Sequence, residues 1–73
     1  MKRLSELREG ETATISRIEG PVRFRQRLLE MGFIRGVDIY VEKYAPLNDP
    51  IEIIIKDYHV SLRVEEAEKI IVR

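Results

Sequence analysis

The spacing of hydrophobic residues changes several times along the chain, and each change marks an element. Leu4 and Leu7 are three apart in a polar stretch, the spacing of one helical turn laid across the end of a core, and Gly10 ends it. Between Glu11 and Glu19 the period is two. Ala13 and Ile15 alternate with Thr12, Thr14 and Ser16, and Ile18 then breaks the phase, which predicts a strand with an irregularity near Ser16 or Arg17. Gly20 and Pro21 form a turn that places the proline at the first helical position. Phe24, Leu28 and Met31 follow at i, i+4 and i+7 with Leu29 beside them, so Pro21 to Met31 is predicted as a helix. Gly32 stands where a left-handed helix end needs a residue without a Cβ.

After Gly36 the period returns to two. Val37, Ile39 and Val41 face one way, and Asp38, Tyr40, Glu42 and Tyr44 the other, giving a second strand with a wet face. Pro46-Leu47-Asn48-Asp49-Pro50 reads as a loop, because proline lacks a backbone donor and Asn and Asp favour turns. Ile51, Ile53 and Ile55, then Tyr58, Val60 and Leu62, alternate with their neighbours on either side of a tight connection at Asp57 and predict a hairpin. Val64 to Lys69 reads as a short helical turn, and Ile70-Ile71-Val72 as a last strand.

Short alternating strands with one helix cannot build two full sheets in 73 residues. The economical way to bury one apolar face and hide sheet edges is a curved barrel. The predicted fold is therefore mainly β: an SH3-like small barrel of about five strands with one inserted short α-helix. A split α+β sandwich is the second architecture.

The length allows one domain, residues 1–73. Thirteen Lys and Arg offset thirteen Asp and Glu, which removes the global field of a nonspecific nucleic-acid or membrane binder. The chain has no cysteine, so disulfides, thiolate metal ligands and thiol chemistry are excluded. Met1-Lys2-Arg3-Leu4 lacks the apolar run of a leader, and Ile53-Ile54-Ile55 is far too short to cross a bilayer. A cytoplasmic protein without direct membrane insertion is expected.

Candidate chemistry is sparse. His59 lies two residues after Asp57 on the same side of a strand and could begin a metal site, but no third ligand has matching spacing, and a surface histidine on a wet hairpin is the plainer reading. No phosphate loop or nucleophile turn is present, and Ser5, Ser16 and Ser61 lack a visible base. No catalytic residue, cofactor or metal site is assigned. Charge, by contrast, is unevenly placed. Arg17 to Arg35 holds five arginines against two glutamates, and Gly36 to Arg73 five basic against eight acidic residues. Arg23 and Arg27 share a helix face. That face is either simply solvated, with Arg27 or Gln26 reaching Glu30, or it meets an acidic partner. The aromatic residues do not interleave with the basic ones, which weakens an RNA-binding reading. Ile18, Phe33, Ile34, Leu47, Ile54 and Ile71 are surplus to one apolar face. Phe33 and Ile34 are expected to cover barrel ends, and others to form an exposed patch for a protein partner.

The run Arg25-Gln26-Arg27-Leu28-Leu29-Glu30-Met31-Gly32-Phe33-Ile34-Arg35-Gly36 precedes Ala45-Pro46-Leu47-Asn48-Asp49-Pro50, then a Ser61-Leu62-Arg63 strand and an Ala67-to-Val72 ending. In this order, from Leu4 to Val72, the chain resembles the FeoA family, small cytoplasmic proteins of bacterial ferrous iron uptake. The resemblance implies an SH3-like barrel and a non-enzymatic accessory role, binding and modulating the cytoplasmic part of FeoB, a membrane transporter with a GTPase domain. Such domains also occur fused to iron-dependent repressors, but no winged-helix region precedes this one, so the free-standing form is expected. A small RNA-binding barrel is the rival. The candidate partner-binding residues are Arg23, Arg27 and Leu28 on the helix with Pro46, Leu47, Asp49 and Pro50 in the loop, a stiff segment that presents side chains at low entropic cost or else merely connects two strands. Self-association through a strand edge is a further expectation.

Overall fold

A computed structural model describes all 73 residues. The elements in chain order are β1 (Lys2–Arg3), a 3-10 turn (Leu4–Glu6), β2 (Thr12–Ile18), α1 (Val22–Glu30), β3 (Asp38–Tyr44), β4 (Ile51–Ile55), β5 (Tyr58–Leu62), α2 (Val64–Ala67) and β6 (Ile70–Val72). All strand pairs are antiparallel, and the sheet order is β1-β6-β2-β3-β4-β5. The mainly β fold with an inserted helix is as predicted, with two differences. There are six strands rather than five, because Lys2 and Arg3 pair with Val72 and Ile71 across from β6. Two charged residues carry no alternation from which such a strand could be read. The sheet is also not closed, since β1 and β5 remain as its two edges.

Curvature comes from the bulge predicted in β2. Thr12–Thr14 pair with β3, Ile15–Ile18 pair with β6, and the register shifts between Ile15 and Arg17. An extra residue on one strand bends it and adds twist, so β2 serves both halves of a sheet that wraps around its own apolar face. That face carries Ile15, Ile39, Val41, Ile51, Ile53, Ile55, Leu62, Ile70 and Val72, each at most 1% exposed, joined by Leu4, Leu7, Leu28, Phe33 and Ala67 from the connecting segments. No polar or charged side chain is buried.

A second bulge, between Val41 and Lys43, corrects the reading of β3. Strict alternation places Tyr44 with the wet residues Asp38, Tyr40 and Glu42. The extra residue reverses the phase, Tyr44 packs against the core, and its hydroxyl donates to the Leu7 carbonyl. Burial, helped by the nearby Glu11 and Glu9 carboxylates, raises the Tyr44 phenol above its ordinary pKa.

Helix α1 is one residue shorter at each end than expected, with Pro21 as its N-cap rather than its first helical residue and Met31 as its C-cap. Gly32 takes φ +98, the Gly32 N–H donates to Leu29 O (3.0 Å) and the Phe33 N–H donates to Leu28 O (3.0 Å). This is the paired hydrogen bonding of a Schellman end, and Leu28 and Phe33, fully buried, supply its apolar contact. Phe33 is thus core, whereas Ile34, one residue on, is 45% exposed.

Candidate functional site

The polar side of α1 is committed to α2. The Arg27 guanidinium pairs with the Glu66 carboxylate and not with Glu30, so the acidic group that this helix face meets belongs to the chain itself. Glu66 also accepts the Arg63 backbone N–H at 2.9 Å. Burial by itself would raise the Glu66 carboxyl, but the Arg63 N–H and the Arg27 guanidinium outweigh it and hold its pKa below the usual carboxylate range. The Phe24 ring lies beneath two cations, with Arg27 Cζ 5.6 Å and Lys69 Nζ 5.0 Å from its centroid.

The Pro46–Pro50 loop ties into the same element. The Val64 N–H donates to Asp49 Oδ1 at 3.1 Å, and Arg63 Nε lies 3.5 Å from the same oxygen. Asp49 therefore anchors the loop at the start of α2. Across the loop, Ala45 N–H donates to Pro50 O at 3.0 Å and Asn48 N–H to Ala45 O at 2.7 Å. The Asp49–Pro50 peptide is cis. Of the seven predicted contact residues, Leu28 is fully buried and cannot touch a partner: i, i+4 spacing from Phe24 turns it into the core. Arg27 and Asp49 are occupied by internal contacts. Arg23, Pro46 and Leu47 are exposed and Pro50 is partly so, with Leu47 at 90%.

The main apolar exposure lies elsewhere. Leu29 of α1, with Met31 and Ile34 from the segment that follows it, faces Tyr58 and Val60 of β5 across a groove of about 500 Å³, with Glu30 and Lys56 also in its lining. Leu29, Ile34 and Tyr58 are 50%, 45% and 63% exposed. Leu29 also lines a separate, smaller recess whose lining includes Arg17, Arg25 and Arg35 and no carboxylate. The groove adjoins the Lys56-Asp57 turn and the Pro46–Pro50 loop precedes Ile51, so the two features stand at opposite ends of β4. The single patch near helix and loop that the sequence suggests is two surfaces. Periodicity could not find Leu29 or Tyr58 as surface residues, because it gives a side chain's face and not whether another element covers it. His59, also beside the groove, has Nδ1 3.6 Å from Glu42 Oε1, reaching across β4.

The family model described as the FeoA domain matches residues 2–73. The chain belongs to the FeoA family. Its FeoA domain is 56% identical over 68 residues to an Fe(2+) transport protein A/Fe(2+) transporter FeoB fusion protein of Porphyromonas gingivalis. That match takes in 93% of this chain and 8% of the relative, so the chain spans a small fraction of the curated protein it matches. The solution structure of the FeoA protein of Chlorobium tepidum superposes with a TM-score of 0.93 at 36% identity, covering 99% of this chain and 69% of that one. Zinc-complexed FeoA of Stenotrophomonas maltophilia, described as a prokaryotic SH3 domain protein, gives 0.87 at 23% identity over 100% of this chain and 91% of its own, a likeness of fold. The SH3-like reading of this FeoA domain is thereby established. No helix in it is long and apolar enough to cross a membrane.

Proposed function

We propose that this FeoA domain is a non-enzymatic accessory module of bacterial ferrous iron uptake that docks on the cytoplasmic part of a FeoB-type transporter and modulates it. The observation that carries this reading is the groove: a domain with few apolar side chains to spare leaves Leu29, Ile34 and Tyr58 in contact with solvent around one concavity. The relative in which the same domain is fused to FeoB supports the choice of partner, since a fused module acts on its neighbour at high effective concentration. Leu47, held out on a proline-bounded loop, is a second point of contact, with Pro46 and Pro50 limiting the loop's freedom and Arg23 free on the helix.

The test is calorimetric titration of the chain into the isolated cytoplasmic part of the transporter, with and without guanine nucleotide, across a salt series. Saturable binding that changes little with salt is the expected result. Binding to RNA with a steep salt dependence, and none to the transporter, would replace this reading with a nucleic-acid one.

A further inference from the structure

We propose that the groove receives an extended segment of the partner, added as a strand to β5, apolar where it crosses Leu29, Met31 and Ile34 and acidic where it continues past Arg25 and Arg35. This rests on the docking reading and specifies its chemistry. Tyr58, His59 and Val60 are consecutive, yet all three line the groove. Side chains of consecutive strand residues point to opposite faces, so a concavity touched by three in a row runs along the strand's backbone edge. That edge is unpaired. β5 ends the sheet, its ladder is with β4 alone, and residues 58–62 make no backbone hydrogen bond outside regular elements.

The two sheet edges differ in their protection. β1 has two residues, both charged, whereas β5 presents Tyr-His-Val-Ser-Leu, with neither a Lys, Arg, Asp or Glu nor a proline to repel an added strand. Main-chain pairing would supply affinity there, and the apolar wall of Leu29, Met31 and Ile34 would select alternate side chains. Charge decides the occupant. Arg17 is paired with Glu19 at 3.0 Å, but Arg25 and Arg35 have no ion-pair partner, and both line the recess that shares Leu29 with the groove. The β5 of a second copy of this chain carries no carboxylate to meet the two arginines, whereas a segment with carboxylates after its apolar residues satisfies them.

The experiment titrates isotope-labelled chain with three acetylated peptides: Val-Thr-Val-Thr-Val-Glu-Glu, its Lys-Lys counterpart, and the Glu-tailed sequence N-methylated at alternate residues. The Glu-tailed peptide should shift the Tyr58–Leu62 amides and those around Leu29 to Ile34, and slow the hydrogen exchange of β5. N-methylation should weaken it by about tenfold or more, because it deletes the main-chain donors. Arg25→Glu with Arg35→Glu should transfer the preference to the Lys-tailed peptide. Shifts confined to another surface, or equal binding of the N-methylated peptide, would overturn the proposal. So would β5 protection that rises with chain concentration and no peptide, which identifies a second copy as the occupant. Transporter binding that leaves β5 exchange unchanged sinks the added strand but keeps the docking. Peptide binding on β5 without transporter binding does the reverse.

Discussion

Leu28 and Leu29 are neighbours on α1, and one is fully buried while the other is half exposed. Arg27 and Arg25 divide in the same way: the first is bound to Glu66 and lies near Phe24, and the second has no ion-pair partner beside an open recess. About 100° of rotation per residue is enough to put one side of the helix on the core and α2 and the other on the groove. The comparison separates what holds the domain together from what it offers to another molecule.

The sharpest way to break that comparison is at the leucines. Leu28→Ala should lower stability by about 2–5 kcal/mol in denaturant titration, because it empties a fully enclosed site, whereas Leu29→Ala should change it by less than about 0.5 kcal/mol. Equal losses would mean that Leu29 is part of the core. Gly20→Ala comes next. Gly20 has φ +104, and an added Cβ would lie 3.1 Å from Lys69 Cδ and 3.3 Å from Phe24 Cδ2. The expected cost is about 1–2 kcal/mol, mostly backbone strain, read from the same titration.

A smaller effect tests the polar side. The Arg27 side chain is 54% exposed, so Arg27→Gln or Glu66→Gln should cost no more than about 1 kcal/mol at neutral pH. Because the folded-state pKa of Glu66 is depressed, the folded protein binds fewer protons there than the unfolded chain. The stabilisation is present above the unfolded carboxylate pKa and is lost as pH falls through the lower folded value. Thermal melts between neutral and acid pH should show a shallower acid loss in Glu66→Gln than in the parent. The smallest effect is at the loop tip, where Leu47→Asp should leave stability within about 0.5 kcal/mol of the parent in the same melts, since Leu47 is 90% exposed.

Local chemistry made much of the fold legible. Gly32 announced the helix end, Ile18 out of phase announced the β2 bulge, and the alternating isoleucines of β4 gave their own buried face. What stayed hidden depends on residues far apart in the chain. Arg27 finds Glu66 across 39 positions, and no helical spacing rule reaches that far. Lys2 and Arg3 become a strand only because β6 lies beside them, and Tyr44 turns inward only because Glu42 is extruded opposite β4. The candidate site was half legible for the same reason. Motif and loop chemistry marked Pro46 to Pro50, but only the packed chain shows that Asp49 serves α2 and that Leu29, Ile34 and Tyr58 converge.

The central claim is that the unoccupied side of α1 and the β5 edge form the docking surface. It is tested most directly by comparing the affinities of the parent and of a Leu29→Asp, Ile34→Asp double variant for the isolated cytoplasmic part of the transporter. An unchanged melting temperature with affinity lower by about tenfold or more is the predicted result. Equal affinities for the two proteins would contradict it.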